Sequence, residues 1–165
     1  MSLHAPIAAP EDAAAFIADA EAITNRRDRH AQLEVFAPTA RWTVLIDGLQ
    51  FTAVGHGEIQ TRWAQLCDFM DRRGMIVDKH VIVRDARTIV SGWIGHCPDG
   101  TVPVGYEIWR FDDHGKVIEQ TLTGYLDPVY ADSIRGAARY LRSSPRDAAT
   151  FALSRLTSLR STDAH

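Results

Sequence analysis

The chain has 165 residues, of which 45% are hydrophobic and 24% charged, which is typical of a globular protein with one buried core. Its net charge of -3 argues against a nucleic-acid partner, because binding phosphates selects a basic surface. No stretch approaches the roughly 20 apolar residues of a membrane helix, and the N-terminus lacks the basic start and apolar run of a secretion signal.

The first half of the chain predicts three helices and one hairpin. Apolar residues recur at helical spacing over 11–24 and again over 59–74, and a short helix between them is expected to end at Pro38. Asp47-Gly48 is a strong two-residue hairpin signal. The strands that flank it are predicted at 42–46 and 49–54.

The second half predicts mainly strands. Between residues 75 and 126 the chain alternates apolar and polar positions, interrupted by turn-forming residues. The predicted strands are 76–84, 87–96, 102–111 and 116–126. After Pro128 the apolar residues Tyr130, Ile134 and Leu141 return to helical spacing, and Ser144-Pro145 would open a last helix with Leu153, Leu156 and Leu159.

The order α-α-β-β-α-β-β-β-β predicts an α+β fold, because its helices are segregated from a run of antiparallel strands. Long strands joined by hairpins curl, and three helices can cover only the concave side of such a sheet. The expected shape is a cone-shaped, curved β-sheet with a closed end and an open mouth, which encloses a pocket. Residues 1–128 would form this domain, and residues 129–165 a C-terminal helical extension of it.

The two cysteines, Cys67 and Cys97, lie in different predicted elements at a spacing that matches no zinc or redox motif. No two of the seven histidines form a helical i, i+4 pair, and no His/Asp/Glu cluster has the spacing of metal ligands. These patterns predict a cytoplasmic protein with reduced thiols, without a metal or other cofactor, and without nucleic-acid or membrane partners.

Three motifs carry a resemblance to a known superfamily: residues 36–42, residues 55–59, and residues 106–111 with the turn that follows to Ile118. In this order they resemble the nuclear transport factor 2-like superfamily, in particular its SnoaL-like branch, over about residues 11–127. The resemblance implies a cystatin-like α+β barrel. It does not imply one reaction, since the superfamily includes ketosteroid isomerase, polyketide cyclases, scytalone-type dehydratases, limonene epoxide hydrolase and non-catalytic binding or assembly domains.

Glu107 is the first candidate for chemistry. It shares a strand face with Trp109 and Phe111, and the resemblance implies that this face points into the cone. The position matches that of the hydrogen-bond-donating carboxylic acid of ketosteroid isomerase, where an apolar site keeps the carboxyl group protonated. The alternative is a rotated strand, in which Glu107 would meet solvent or a dimer partner.

Other positions implied by the resemblance are vacant. The base of ketosteroid isomerase would fall near Val44 and its tyrosine donor near Ala20. The aspartate base of the SnoaL-type cyclases would fall near Leu122. None of these side chains transfers a proton, so the familiar mechanisms of those enzymes are not expected.

Asp78 and His80 are the second candidate. They are two residues apart on a predicted strand and therefore share a face. A histidine beside a carboxylate is the commonest general acid/base arrangement, and scytalone-type dehydratases resemble this pattern. If this pair is catalytic, His80→Ala abolishes turnover. The alternative is a surface pair, with Val77, Val81 and Val83 facing inward.

The remaining site residues are predicted from their bulk or their place near the pocket. His56 lies between two glycines at the expected mouth, and Gln120 could donate a hydrogen bond inside. Bulky aromatic side chains usually form core or pocket wall. The predicted substrate-binding residues are Trp42, Trp63, Trp93, Trp109, Phe111, Gln120 and His56.

These residues suggest a cofactor-independent lyase or isomerase that dehydrates, isomerises or cyclises a hydrophobic cyclic or aromatic small molecule. His80 would be the general acid/base, oriented by Asp78, and Glu107 a second acid or a neutral hydrogen-bond donor. The vacant base positions leave open a non-catalytic binding or assembly domain, or an accessory subunit like those of ring-hydroxylating oxygenases. The resemblance also implies a homodimer formed through the outer face of the sheet.

Overall fold

The structure is a computed structural model that describes residues 9–128 and 133–150. The chain divides into one compact unit that ends at Asp127 and a second that begins at Pro128. The membership of residues 129–165 in the domain formed by residues 1–128 stays a prediction.

The first unit is an α+β structure with one six-stranded mixed sheet, as predicted. In chain order its elements are α1 (Ala13–Arg26), α2 (Ala31–Val35), β1 (Phe36–Ile46), β2 (Leu49–Val54), α3 (Gly55–Arg73), β3 (Ile76–Arg84), β4 (Thr88–His96), β5 (Val104–Phe111) and β6 (Val117–Tyr125). The strand order is β2-β1-β6-β5-β4-β3, and the sheet does not close. Only β1 and β6 run parallel; all other neighbours are antiparallel.

Local sequence accounts for the ends of these elements. The Asp12 side chain accepts a hydrogen bond from the backbone N–H of Ala15 and so caps α1. Asp47 and Gly48 both have positive φ angles, 50° and 80°, as a tight two-residue hairpin requires. Helix α3 ends at Gly74 in the left-handed conformation, close to the predicted position.

The expected stop at Pro38 is wrong. Helix α2 ends at Val35, and Pro38 lies inside strand β1. The pairing of β1 with β6 shifts register between Phe36 and Arg41. Pro38 falls in this irregular stretch, where a residue without a backbone N–H is tolerated.

One face of the sheet, here called the inner face, is covered by helices α1 and α3. Phe16 of α1 packs edge-on against Trp109 and Phe111, and Trp63 of α3 packs against Trp42. Along β5 the alternate residues Gly105, Glu107, Trp109 and Phe111 are buried, whereas their neighbours are exposed on the opposite, outer face. The predicted parity of β5 is therefore confirmed.

Helix α1 also binds the edge of the sheet. The Asn25 side chain donates to the carbonyl oxygen of Val77 and accepts from its N–H, at 2.8 and 2.9 Å. Four residues earlier, on the same side of the helix, the Glu21 carboxylate accepts from the backbone N–H of Lys79 at 2.6 Å. These three bonds fix β3 against the helix and set the position of Lys79.

The second unit contains helix α4 (Ile134–Ser143), which leaves Ile134 and Leu141 exposed. The last predicted helix begins in the described residues, where Thr150 donates to the carbonyl oxygen of Arg146. Its continuation with Leu153, Leu156 and Leu159, and the predicted helical residue Tyr130, lie outside the described residues. No helix in the described ranges is long and apolar enough to cross a membrane.

Candidate functional site

A small apolar cavity lies on the inner face, between the sheet and the helices. Its volume is about 40 Å³. This is enough for small molecules such as water but well below the several hundred Å³ of a typical ligand pocket. The residues around it are Thr24, Ile46, Trp63, Leu66, Phe69, Met70, Met75, Val77, Lys79, Trp93, Glu107, Leu122 and Leu126.

Two charged groups, Lys79 and Glu107, lie in this apolar wall. The Lys79 Nζ atom is 2.9 Å from Oε1 and 3.0 Å from Oε2 of Glu107. The side chains are only 5% and 3% exposed, respectively. The ammonium group also lies 5.8 Å from the centre of the Trp109 ring, whose face attracts cations. Glu107 is therefore buried as predicted, but it is paired with a cation instead of being surrounded by apolar neighbours alone.

Neutral side chains hold the carboxylate in place. Ser91 Oγ donates to Glu107 Oε2 at 3.2 Å and accepts from Trp109 Nε1 at the same distance. Gln120 Nε2 approaches Glu107 Oε1 at 3.5 Å, which is a weak contact. The carboxylate thus has an ionic partner and two neutral donors, which offset part of the cost of its burial.

Sheet register brings these groups together from four strands. Ser91 of β4 is directly opposite Glu107 of β5, and Glu107 is opposite Leu122 of β6. Lys79 of β3 is opposite Trp93 of β4. Side chains directly opposite each other in neighbouring strands share a face and lie in contact. The register therefore places Ser91 beside Glu107, and the long side chain of Lys79 crosses β4 to reach the carboxylate.

Two glycines make room for Trp93 at one end of the cavity. A Cβ atom added to Gly105 would lie 2.5 Å from Trp93 Cζ2, and one added to Gly124 would lie 2.4 Å from the same atom. The indole ring therefore lies flat on the backbone of β5 and β6. Its buried Nε1 atom has no hydrogen-bond partner among the described residues, and neither has the Gln120 Oε1 atom.

The expectation that Asp78 and His80 face the pocket is wrong. Both are exposed on the outer face, where Asp78 Oδ2 pairs with Nε2 of His96 at 2.9 Å. The side chains of Asp78 and His96 are 70% and 55% exposed. The imidazole of His80 lies over Gly92 on that same face. The inward residues of β3 are instead Val77, Lys79 and Val81, so neither Asp78 nor His80 can reach a ligand in the cavity.

The predicted pocket wall is only partly assembled. Trp63 and Trp93 line the cavity, whereas Trp109 and Gln120 surround the Glu107 carboxylate. The other three predicted residues lie elsewhere. Trp42 is buried behind Trp63, Phe111 packs on Phe16 of α1, and His56 bonds the carbonyl oxygen of Phe36 at 3.0 Å.

Lys79 is the site residue that the sequence reasoning missed. A lysine between Asp78 and His80 in a strand looks like an ordinary solvated position, and its partner is 28 residues away in the sequence. The rarity of lysine in this sequence was the one signal that could have drawn attention to Lys79. Of the 18 lysine and arginine residues in the chain, only Lys79 and Lys116 are lysines.

Other reactive groups do not enlarge the site. Cys67 of α3 faces the core, and burial raises the pKa of its thiol, which disfavours the nucleophilic thiolate. Within the described residues no group of three or more His, Cys, Asp or Glu side chains could hold a metal ion. The chemistry available in the cavity is that of one carboxylate and one amine.

Several solved structures resemble this chain in fold. An NTF2-like protein of unknown function from Mesorhizobium loti has a TM-score of 0.55 at 17% identity, covering 72% of this chain and 97% of its own. A steroid delta-isomerase from Pseudomonas aeruginosa has a TM-score of 0.52 at 15% identity, covering 90% and 97%. The chain has the nuclear transport factor 2-like fold.

A third structure with this fold is an epoxide hydrolase/cyclase-like enzyme, SalBIII, described as acting in pyran ring formation in the polyether salinomycin. Its TM-score is 0.51 at 13% identity, covering 67% of this chain and 88% of its own. No protein-family model matches the sequence, and no curated protein matches it. At these identities the nuclear transport factor 2-like fold is established, and the activity has to be argued from the site itself.

Proposed function

We propose that this chain is a cofactor-independent enzyme that dehydrates, isomerises or cyclises a hydrophobic cyclic or aromatic small molecule by proton transfer. The observation that carries the proposal is the buried Lys79–Glu107 pair in the wall of an otherwise apolar cavity. A buried ion pair contributes little to stability compared with apolar side chains of the same size. Groups of this kind are concentrated at functional sites.

Glu107 is the proton carrier in this proposal. Its carboxylate accepts a proton from the carbon or oxygen of a ligand and returns it at a neighbouring position. Ser91 and Gln120 orient the carboxylate, and Lys79 stabilises negative charge that develops on the ligand. Trp63, Trp93 and Leu122 provide apolar contacts for a ring. The steroid delta-isomerase and the cyclase-like enzyme with this fold support a reaction of this class.

Binding of a ring compound requires the cavity to widen. In this conformation its volume is about 40 Å³, too small for a bicyclic molecule. Met70, Met75 and Phe69 line one side, and methionine side chains repack at low cost because they are unbranched and flexible. We expect these residues to move when the ligand enters.

Hydrogen–deuterium exchange tests the proton transfer. In D2O, the wild-type protein should incorporate deuterium next to the carbonyl group of an apolar bicyclic ketone such as 2-tetralone, as followed by NMR. Glu107→Gln should lower this rate by about 100-fold or more, since a positioned carboxylate contributes about 10²–10⁴-fold. His80→Ala, on the outer face, should leave the rate unchanged.

Three results would contradict the proposal. The first is a wild-type exchange rate equal to that of buffer for a series of apolar ketones. The second is a Glu107→Gln rate equal to that of the wild type. The third is loss of exchange in His80→Ala with retention in Glu107→Gln, which would favour His80 as the general acid/base, as predicted from the sequence.

Glu119→Gln is the matched control for the change of charge, because it neutralises a carboxylate on β6 that pairs with Arg110.

We also propose that the protein is a cytoplasmic homodimer formed through the outer face of the sheet. This face exposes the large apolar side chains of Ile94, Tyr106, Ile108 and Ile118, and contiguous exposed apolar surface is typical of interaction sites. Light scattering should give about twice the chain mass of 18.3 kDa. Ile108→Glu should reduce the mass to that of one chain, whereas Gln50→Glu on β2 should not. A monomeric wild-type protein would contradict this assignment.

A further inference from the structure

We propose that Lys79 is a nucleophile that forms an imine with the carbonyl group of an apolar ligand, and that Glu107 carries the protons of this step. The inference deepens the proposed function, because it assigns a ligand class, aldehydes and ketones, to the same cavity. It rests on the choice of residue, on the geometry of the pair and on an unsatisfied donor in the cavity wall.

The choice of residue is informative because the chain otherwise uses arginine as its cation. Only two of its 18 lysine and arginine residues are lysines, and Lys116 is exposed. An arginine would serve as well if only a positive charge were needed beside Glu107, and it would offer two parallel hydrogen bonds to the carboxylate. Arginine does not lose its proton in proteins, whereas lysine can. The buried position therefore holds a lysine, which can become a neutral amine, and not an arginine, which cannot.

The geometry allows the proton to leave Lys79 without solvent. Both oxygen atoms of Glu107 lie within 3.0 Å of Nζ. The cavity wall around the pair is almost entirely apolar. The contact between Nζ and the carboxylate is therefore a direct path for the proton. Lysines in apolar pockets serve as nucleophiles that form imines with carbonyl compounds.

The covalent step balances with these two residues alone. The ammonium gives one proton to Glu107, and the nitrogen lone pair of Lys79 attacks the carbonyl carbon while the oxygen takes that proton. The nitrogen then gives a second proton to Glu107, which passes it to the hydroxyl group. The C–O bond breaks, water leaves, and a C=N bond forms. The product is a protonated imine beside an ionised Glu107, so the total charge is unchanged.

A residue of the cavity wall offers a free donor to a second oxygen of the ligand. Trp93 Nε1 is buried without a hydrogen-bond partner in the described residues, and Trp93 lines the same cavity and lies opposite Lys79 in the sheet. A buried donor without a partner is costly, and a ligand acceptor would remove that cost. A carbonyl compound with an apolar body and a second oxygen fits both Lys79 and Trp93.

Reductive trapping tests the imine on the wild-type protein. The folded protein is incubated at neutral pH with benzaldehyde and sodium cyanoborohydride, which reduces an imine to a stable benzylamine. Digestion with chymotrypsin and mass spectrometry then measure benzylation of Lys79 against that of the exposed Lys116. We expect Lys79 to be labelled at least tenfold faster, although its side chain is only 5% exposed.

Each outcome decides the matter. Labelling of Lys116 ahead of Lys79 would overturn the proposal, because a buried, merely structural ammonium reacts more slowly than an exposed one. Equal labelling of Lys79 in the wild type and in Glu107→Gln would overturn the role of Glu107; a tenfold loss at Lys79 with unchanged Lys116 supports it. Deuterium exchange without trapping leaves the acid/base function standing and excludes the imine. Trapping of Lys79 without deuterium exchange supports the imine and excludes the proposed acid/base function.

Discussion

Replacement of Lys79 by methionine should lower the free energy of unfolding by about 3–5 kcal/mol. The substitution leaves the Glu107 carboxylate buried without its cation. Ser91 and Gln120 remain as neutral donors, and they do not neutralise a carboxylate whose side chain is only 3% exposed. Urea unfolding followed by circular dichroism measures the loss as a shift of the midpoint.

Two controls separate charge from packing. Lys79→Met combined with Glu107→Leu removes both charges and should recover most of the stability, because an apolar pair avoids the desolvation cost. Arg29→Met breaks the pair with Asp68 of α3, where the side chains are 49% and 58% exposed, and should cost less than about 1 kcal/mol. If Lys79→Met alone unfolds at the wild-type midpoint, the carboxylate is not charged in the folded protein.

Replacement of Gly105 by alanine should cost about 3 kcal/mol. The new Cβ atom would overlap the carbonyl oxygen of Thr123 and lie 2.5 Å from Trp93 Cζ2. The carbonyl belongs to the neighbouring strand and cannot rotate away. Because the indole must also move, the near-ultraviolet circular dichroism should change together with the unfolding midpoint.

Gly92→Ala is the matched control for this substitution. Gly92 lies in the adjacent strand on the outer face, and its Cβ atom would lie 2.6 Å from Cε1 of His80. The contact is with the end of the His80 side chain, which can rotate about its own bonds, so we expect a loss below about 1 kcal/mol. Both changes remove a glycine from a strand interior and alter the unfolded chain equally. Equal unfolding midpoints for the two variants would contradict this prediction, because they would show that the backbone around Gly105 shifts to accommodate the new Cβ atom.

The fold could be predicted because its signals are local. Asp47-Gly48 supplies residues that tolerate the positive φ angles of a two-residue hairpin, and the alternation over β5 buries Trp109 and Phe111 together. The nuclear transport factor 2-like resemblance was confirmed by solved structures at the level of the fold. Pro38 was misread because the irregular pairing of β1 with β6 is set by a strand about 80 residues later, which no local pattern shows.

The parity of β3 could not be read in the same way. A register shift between Val81 and Val83 places Val81 on the inner face and leaves Val83 54% exposed. The valines of β3 therefore do not all lie on one face of the sheet. From the sequence, an inward orientation of Asp78 and His80 was as consistent with the pattern as an outward one. What decides the orientation is Lys79, whose charge is matched by a carboxylate on another strand. Such long-range pairing is absent from local periodicity.

The three hydrogen bonds from α1 to β3 have a consequence for self-association. Edge strands expose backbone groups that can pair with a strand of another molecule and start aggregation. At β3, Asn25 occupies the N–H and carbonyl group of Val77, and Glu21 occupies the N–H of Lys79. The first part of this edge therefore offers no template to an incoming strand. The opposite edge of the sheet, β2, carries Leu49, which is 78% exposed.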